Sequence, residues 1–163
     1  MTSAAFGADD PAPRPVPPAA RQQWLRVLAL SDPATLAELV DGRLSDADFR
    51  WLRRPETGLV MAQGRIGNSG DRFNLAEVTV TRCVVQSRWQ TAGVGYVTGR
   101  RPGHAARVAR LDALLQVATL APALQAEIIA PLAAGLADRE AAEAAAAAAS
   151  RVDFYTLASE TTE

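Results

Sequence analysis

Residues 72–86 read Arg72-Phe73-Asn74-Leu75-Ala76-Glu77-Val78-Thr79-Val80-Thr81-Arg82-Cys83-Val84-Val85-Gln86, and this run decides the fold class. It is dense in Val and Thr, whose branched Cβ favours extended backbone. Val78, Val80 and Val84 share one parity, and Thr79, Thr81, Cys83 and Val85 the other. Upstream, residues 57–66 alternate loosely and read as a strand. Between the two lies Gly67-Asn68-Ser69-Gly70-Asp71, a turn cluster in which Gly and Asn tolerate positive φ. Downstream, residues 87–92 read as a connection. Residues 93–98 read as a third short strand around Val94, Tyr96 and Val97. Three consecutive strands with short links predict an antiparallel meander.

The flanks change period. Residues 20–30 read as a helix, with Trp24, Leu25, Val27 and Leu28 clustered on one side. Ser31 or Asp32 followed by Pro33 is a cap and a first-turn proline. The second helix, residues 33–40, presents Leu36, Leu39 and Val40, and Gly42 closes it. Ser45-Asp46-Ala47-Asp48 opens a short third turn or helix through Phe49, Trp51 and Leu52, ended by Pro55. After Arg101-Pro102-Gly103, residues 104–120 read as a helix on Val108, Leu111, Leu114, Leu115 and Ala118. Pro122 and Pro131 punctuate two further helical stretches, the second running through alanines to about Ala149. Residues 151–156 alternate and leave room for one more strand. Helices, strands and helices in blocks predict an α+β fold: an antiparallel sheet of three or four strands packed with N-terminal and C-terminal helices. Residues 1–19 carry five prolines among Ala and small polar residues and are expected to be a disordered Pro/Ala-rich tail. Residues 20–158 are expected to form one domain, and 159–163 a flexible C-terminus.

The chain of 163 residues has the length of one ordinary domain. Its lone cysteine, Cys83, excludes an intrachain disulfide and agrees with a reducing cytoplasm, the expected location. No basic start followed by an apolar run marks a secretory signal. No apolar window is long enough to span a bilayer. All 17 basic residues are Arg, as codon bias in a GC-rich genome also produces. Their distribution is more informative. Residues 1–49 carry a balance of −3, residues 50–110 of +8, and residues 111–163 of −6. Two readings follow. The basic centre faces an anionic or acidic partner, or its arginines pair with the acidic flanks inside one fold.

Gly64, Gly67 and Gly70 invite a phosphate-loop reading. The Walker motif needs a lysine, and the chain has none. A dinucleotide fingerprint leads from strand into helix; here the glycines lead into another strand, and a hairpin turn is the better reading. His104, the single histidine, starts a helix and has no metal-ligand spacing around it. A helix-start role is preferred to general-base catalysis. Gly99-Arg100-Arg101 before that helix is a candidate anion site, since guanidinium groups and a helix N-terminus both favour phosphate. A solvated loop is the alternative. Asp112, amid Leu111, Ala113, Leu114 and Leu115, needs an arginine or backbone donor if buried; Arg107 or a sheet arginine is expected to supply it. Cys83, on a strand, is expected to be a buried, inert thiol. Nucleic-acid binding is disfavoured by the scarcity of aromatics interleaved with the basic residues.

Several stretches resemble one family in order and spacing. They are Arg21-Gln22-Gln23-Trp24-Leu25 with Leu28-Ala29, Glu56-Thr57-Gly58-Leu59-Val60, Arg72-Phe73 and Val78-Thr79-Val80-Thr81-Arg82. They continue with Gly95-Tyr96, Gly99-Arg100, His104-Ala105, Leu111-Asp112-Ala113-Leu114-Leu115-Gln116, Ile129-Ala130-Pro131-Leu132 and Ser150-Arg151-Val152-Asp153-Phe154. Together, over about residues 20–157, they resemble the G subunit of carbon–phosphorus lyase, PhnG. The resemblance implies a core complex with the H, I and J subunits, the I subunit being a direct contact. It implies action with the H, I and L subunits in moving the ribose 5-triphosphate part of ATP or GTP onto methylphosphonate, with release of the base. It implies no catalytic residue, cofactor or metal on this chain; ATP or GTP is a substrate of the complex. Nucleic acid and membrane are not expected partners. The candidate contacts to a partner or an anion are Glu56, Arg72, Arg82, Arg100, Arg101, His104, Asp112, Arg151 and Asp153. The alternative is a free-standing small domain that binds a phosphorylated ligand through the basic centre.

Overall fold

The computed structural model describes residues 13–151. The fold is α+β: a three-stranded antiparallel sheet with helices before and after it. Helices α1 (Pro18–Leu30) and α2 (Pro33–Val40) come first. Strands β1 (Phe49–Arg65), β2 (Arg72–Ser87) and β3 (Ala92–Thr98) follow in spatial order β1-β2-β3. Helices α3 (Pro102–Leu115), α4 (Ala121–Leu124) and α5 (Ala130–Ala149) complete the chain, with a π-helical turn, Gln125–Ile129, between the last two. The start of α2 follows from its sequence. Asp32 accepts the Thr35 N–H at 2.9 Å, and Pro33 fills the position whose N–H would lack a partner.

Of the two parities in β2, Thr81, Cys83 and Val85 are buried and face α3, joined by Gly93, Gly95 and Val97 of β3. The polar-looking parity is therefore the inner one. The reason lies across the interface. A Cβ on Gly93 would stand 1.9 Å from the Ala109 carbonyl oxygen, and one on Gly95 would stand 2.0 Å from that of Ala105. Helix α3 turns Ala105, Ala109 and Ala113 to two glycines and lies almost backbone to backbone on the strand, an approach only glycine permits. Val108, Leu111 and Leu115 of α3 join one apolar cluster with Trp24, Leu28, Leu36, Val40, Ile128, Ile129, Leu132 and Leu136. The Cys83 thiol is free and fully buried, and desolvation pushes its pKa up to about 11.

Several local expectations change. The short helix expected through Phe49, Trp51 and Leu52 is a 3-10 turn, Asp46–Asp48, that passes straight into β1. The Ser45 hydroxyl caps that turn. Phe49 and Trp51 pair with Ser87 and Val85 instead of continuing it, and the Arg110 guanidinium lies 5.6 and 5.7 Å from their rings. Pro55 does not end an element. It sits where the register slips between Arg53 and Glu56, so its missing N–H falls at a bulge.

The helix expected over 104–120 spans only 102–115. Its exposed carbonyls are taken by the N-terminal segment: Arg14 donates side-chain bonds to Leu115 O at 3.3 and 3.1 Å and its backbone N–H to Gln116 O at 2.9 Å. Pro13 forms a bridge with Val117. Residues 13–17, expected within the tail, are thus docked on the end of α3. Residues 18–19, also expected within the tail, open α1, where Pro18 takes a first-turn position. Residues 1–12, the possible fourth strand past Arg151, Asp153 and residues 159–163 lie outside the described residues.

Strands β1 and β2 outrun β3, whose pairing stops at Val80 with Thr98. Residues 59–65 and 72–78 continue as a two-stranded arm in which no residue is buried. Helix α5 also outruns the core, with Leu136 its last buried residue.

Because the α3–β3 contact leaves no room for one methyl group, Gly95→Ala is expected to cost about 2–3 kcal/mol or more through overpacking. Gly58→Ala, with nothing within 4 Å of its Cβ position, is expected to stay within about 1 kcal/mol. Urea unfolding of both variants checks the difference; equal costs would contradict the close packing.

Candidate functional site

Asp112 is fully buried on α3. Arg21 of α1 grips its carboxylate with Nε to Oδ1 at 3.1 Å and Nη2 to Oδ2 at 2.7 Å. The Trp24 indole N–H donates to Oδ1 at 2.9 Å, and the Val94 backbone N–H to Oδ2 at 2.9 Å. Four donors from two elements, α1 and β3, saturate the two oxygens. The donor is Arg21, not Arg107; Arg107 instead holds Asp41 with two bonds of 2.7 and 2.5 Å, which keeps the Asp41 carboxyl below its ordinary range. Arg21 and Trp24 sit three apart on one face of α1, and that spacing was the available signal for the pair.

His104 is 3% exposed. Its Nε2 lies 3.0 Å from the Leu28 carbonyl and ties the start of α3 to the end of α1. Burial lowers its pKa, with the charges of Arg101 and Arg107 acting in the same direction and the bonds to Leu28 and Ala29 opposing. The imidazole is thus neutral and structural, as preferred for a helix-start residue. Three bases from the central segment pair with acids of the N-terminal flank: Arg88 with Asp48 at 3.2 Å, Arg107 with Asp41, and Arg110 with Asp46 at 2.6 Å. On the sheet face away from the helices, Glu56 takes Arg53 at 2.6 Å and Arg82 at 2.7 Å. The Arg82 bond, then Arg53, holds its carboxyl below the ordinary range.

Among the described residues, Arg54, Arg65, Arg72, Arg100 and Arg101 have no carboxylate partner. Arg72 lies at the tip of the arm, opposite Arg65. Arg100 and Arg101 are exposed between β3 and α3. Their loop is pinned from beneath: the Thr81 hydroxyl donates to Gly99 O at 2.6 Å and accepts the Arg101 N–H at 3.0 Å, with Gly99 at φ +84°. Thr81 was not a candidate, because a strand threonine gives no sequence signal for a loop bond. Arg151 follows α5, its N–H bonded to Ala148 O. The eight candidates among the described residues therefore form no single site. Glu56 and Arg82 touch; His104 and Asp112 are separate internal bonds; Arg72, Arg100, Arg101 and Arg151 occupy three surfaces. The glycines 64, 67 and 70 form the hairpin end, with Gly67 at φ +53° and the Gly70 N–H on Ile66 O at 2.8 Å. No group of three His, Cys, Asp or Glu that would hold a metal occurs among the described residues, and no helix there is long and apolar enough to cross a membrane.

Removing the Asp112 carboxylate strands Arg21, the Trp24 N–H and the Val94 N–H. Asp112→Ala is expected to cost about 3–5 kcal/mol, and Trp24→Phe, which loses one bond, about 1 kcal/mol plus a packing change. Equilibrium unfolding separates them. For His104 the folded pKa lies below the unfolded value of about 6.5. Below that pH the unfolded chain takes a proton that the folded chain refuses, so stability falls as pH drops through 6.5 and is independent of this group above it. His104→Gln, which keeps a donor for Leu28, is expected to flatten the slope between about pH 5 and 6.5. Parallel slopes for the two proteins would assign proton uptake elsewhere.

Residues 19–159 match the model of a family described as phosphonate metabolism protein PhnG. A curated relative from Rhizobium meliloti (strain 1021), the alpha-D-ribose 1-methylphosphonate 5-triphosphate synthase subunit PhnG, is 36% identical over 139 residues. The alignment covers 85% of this chain and 88% of the relative. The matched span takes in the Arg21–Trp24–Asp112 contact, the β3 glycines and the arm, and this chain belongs to the PhnG family.

Proposed function

We propose that this chain is an accessory subunit of the carbon–phosphorus lyase core complex in phosphonate breakdown, and that it works in the cytoplasm. With the H, I and L subunits it supports a transfer in which a phosphonate oxygen of methylphosphonate bonds to the ribose C1′ of ATP or GTP. The bond from C1′ to the base breaks, and the base leaves carrying the electron pair and a proton. The I subunit is its direct contact, H and J share the core complex, and L acts with them. The chain holds no cofactor and supplies no catalytic residue; the nucleotide is a substrate of the complex.

The relative's name supports the reading, since it describes a synthase subunit with this product. The observation that carries it from the structure is how the chain uses its chemistry. Its buried carboxylate joins two helices to β3 and its buried imidazole ties α3 to α1, while an arm of unburied strand stands clear of the core. That is the economy of an assembly component. A second reading, a free-standing domain for a phosphorylated ligand, is favoured only by Arg100 and Arg101, exposed without carboxylates at the head of α3.

The test is formation of the transfer product. Purified H, I and L subunits with ATP and methylphosphonate are expected to form the ribose 1-methylphosphonate 5-triphosphate only when this chain is added. Undiminished product without it would refute the accessory role. Tight ATP binding by the isolated chain, abolished by Arg100→Glu with Arg101→Glu, would favour the second reading.

A further inference from the structure

Past the end of β3, residues 59–65 and 72–78 form an arm closed by the turn Ile66–Asn68. At ~3.3 Å per residue it is roughly 20 Å long. Two strands alone are marginal in water, and this pair is not shielded. Leu59 is 61% exposed, Met61 51%, Leu75 64%, Phe73 41% and Ile66 67%. The apolar groups occupy both faces. Leu59 and Met61 continue the parity of Thr57, whose partner Thr81 faces the helices. On the other face Phe73 and Leu75 close over Gly64, the Phe73 ring 3.4 Å from its Cβ position. A flat surface would cover only one face.

At the tip, Arg65 and Arg72 are directly opposed across the two strands and are both exposed. Like charges in that position repel. Neither has a carboxylate partner among the described residues; Arg65 donates only to Gly70 O, at 3.3 Å. An anionic group placed between them would turn repulsion into two charge-assisted bonds.

We propose that the arm is the docking element: it enters an apolar cleft of an unlike protein chain, with carboxylates at the far end of the cleft pairing with Arg65 and Arg72. The inference rests on the reading that the chain works within an assembly, and adds which residues make the contact and the chemistry they require. A second copy of this chain fits less well. Pairing two β1 edges about an axis near Leu59 sets Arg65 against Arg53 or Arg54 of the other copy. A lipid surface fits less well too, because the arginines lie beyond most of the apolar residues, with Glu77 among those residues.

The experiment co-expresses the full chain with the H, I and J subunits and compares wild type with two double variants, Arg65→Glu with Arg72→Glu, and Leu59→Thr with Leu75→Thr. Both leave the core untouched, and threonine keeps strand propensity. Each is expected to lower the recovered partner subunits about tenfold or more with no shift in the unfolding midpoint of the chain alone. Arg65→Lys with Arg72→Lys is expected to retain most of the recovery. Amides 59–65 and 72–78 are expected to exchange about a hundredfold more slowly in the complex. Wild-type recovery by both double variants, with unprotected arm amides, overturns the docking assignment and leaves the subunit role standing. No recovery of any subunit by the wild-type chain overturns both. A homodimer of the chain alone that both double variants dissolve overturns it in favour of a second copy. Binding to phosphatidylserine vesicles that both abolish overturns it in favour of a lipid surface.

Discussion

The carboxylate of Asp112 does the work of a missing strand. Strand β3 is the last of the sheet, and its outer edge would otherwise carry unpaired backbone groups. Asp112 accepts the Val94 N–H there, while Arg21 and Gln116 donate to the Ala92 carbonyl at 3.1 and 2.8 Å. The same carboxylate fixes α1 through Arg21 and Trp24. One side chain thus satisfies an N–H at the sheet edge and joins that edge to two helices. It reaches the edge because α3 lies so close to β3, and α3 lies so close because Gly93 and Gly95 present no side chains. Small residues and a buried charge are two halves of one arrangement. Either without the other would leave a gap or an unpaired ion, and the latter is far the more costly.

Much of this was legible in the sequence. The meander, the Asp32–Pro33 helix start and the alanine helix follow from local chemistry, and local chemistry prevailed there. The inert thiol at Cys83 and the structural role of His104 also held. The misreadings share a cause. Asp46-Ala47-Asp48 does begin a helical turn, but Phe49 and Trp51 gain more by pairing with β2 beneath Arg110. Pro55 ends a helix only where a helix exists; in β1 it marks a bulge. Helix α3 was expected to run on to residue 120 because its apolar spacing continues, while its end is set by Arg14, over a hundred residues earlier in the chain. The partner of Asp112, expected in Arg107 or on the sheet, comes instead from α1. Contacts between distant segments leave no periodic trace.

The arginine-rich centre divides into paired and unpaired residues. Arg88, Arg107 and Arg110 pair with aspartates of the flank that precedes the sheet, so part of the charge contrast along the chain is neutralised by folding. Arg65, Arg72, Arg100 and Arg101 stay outside. They occupy the arm tip and the loop before α3, positions where the fold itself makes no use of a charge. The candidate site was accordingly legible as residue types and not as a place: a sequence shows that arginines are abundant but not which ones the fold leaves over.

Helix α5 carries a different kind of consequence. Its 20 residues leave the core after Leu136 and, among the described residues, receive their last side-chain anchors at Arg139, on Leu30 O at 2.6 Å, and Glu140, on Arg26. Among the described residues, the helix from Ala141 to Ala149 is held by its own backbone bonds and by the low entropy cost of alanine. One chain thus contains two thermodynamic regimes. The body melts as a unit, whereas the last turns of α5 unwind residue by residue in a helix–coil equilibrium that responds to temperature long before the body does. A helicity signal averages the two and a tryptophan signal does not, so the pair of them would describe the same molecule with two different transitions.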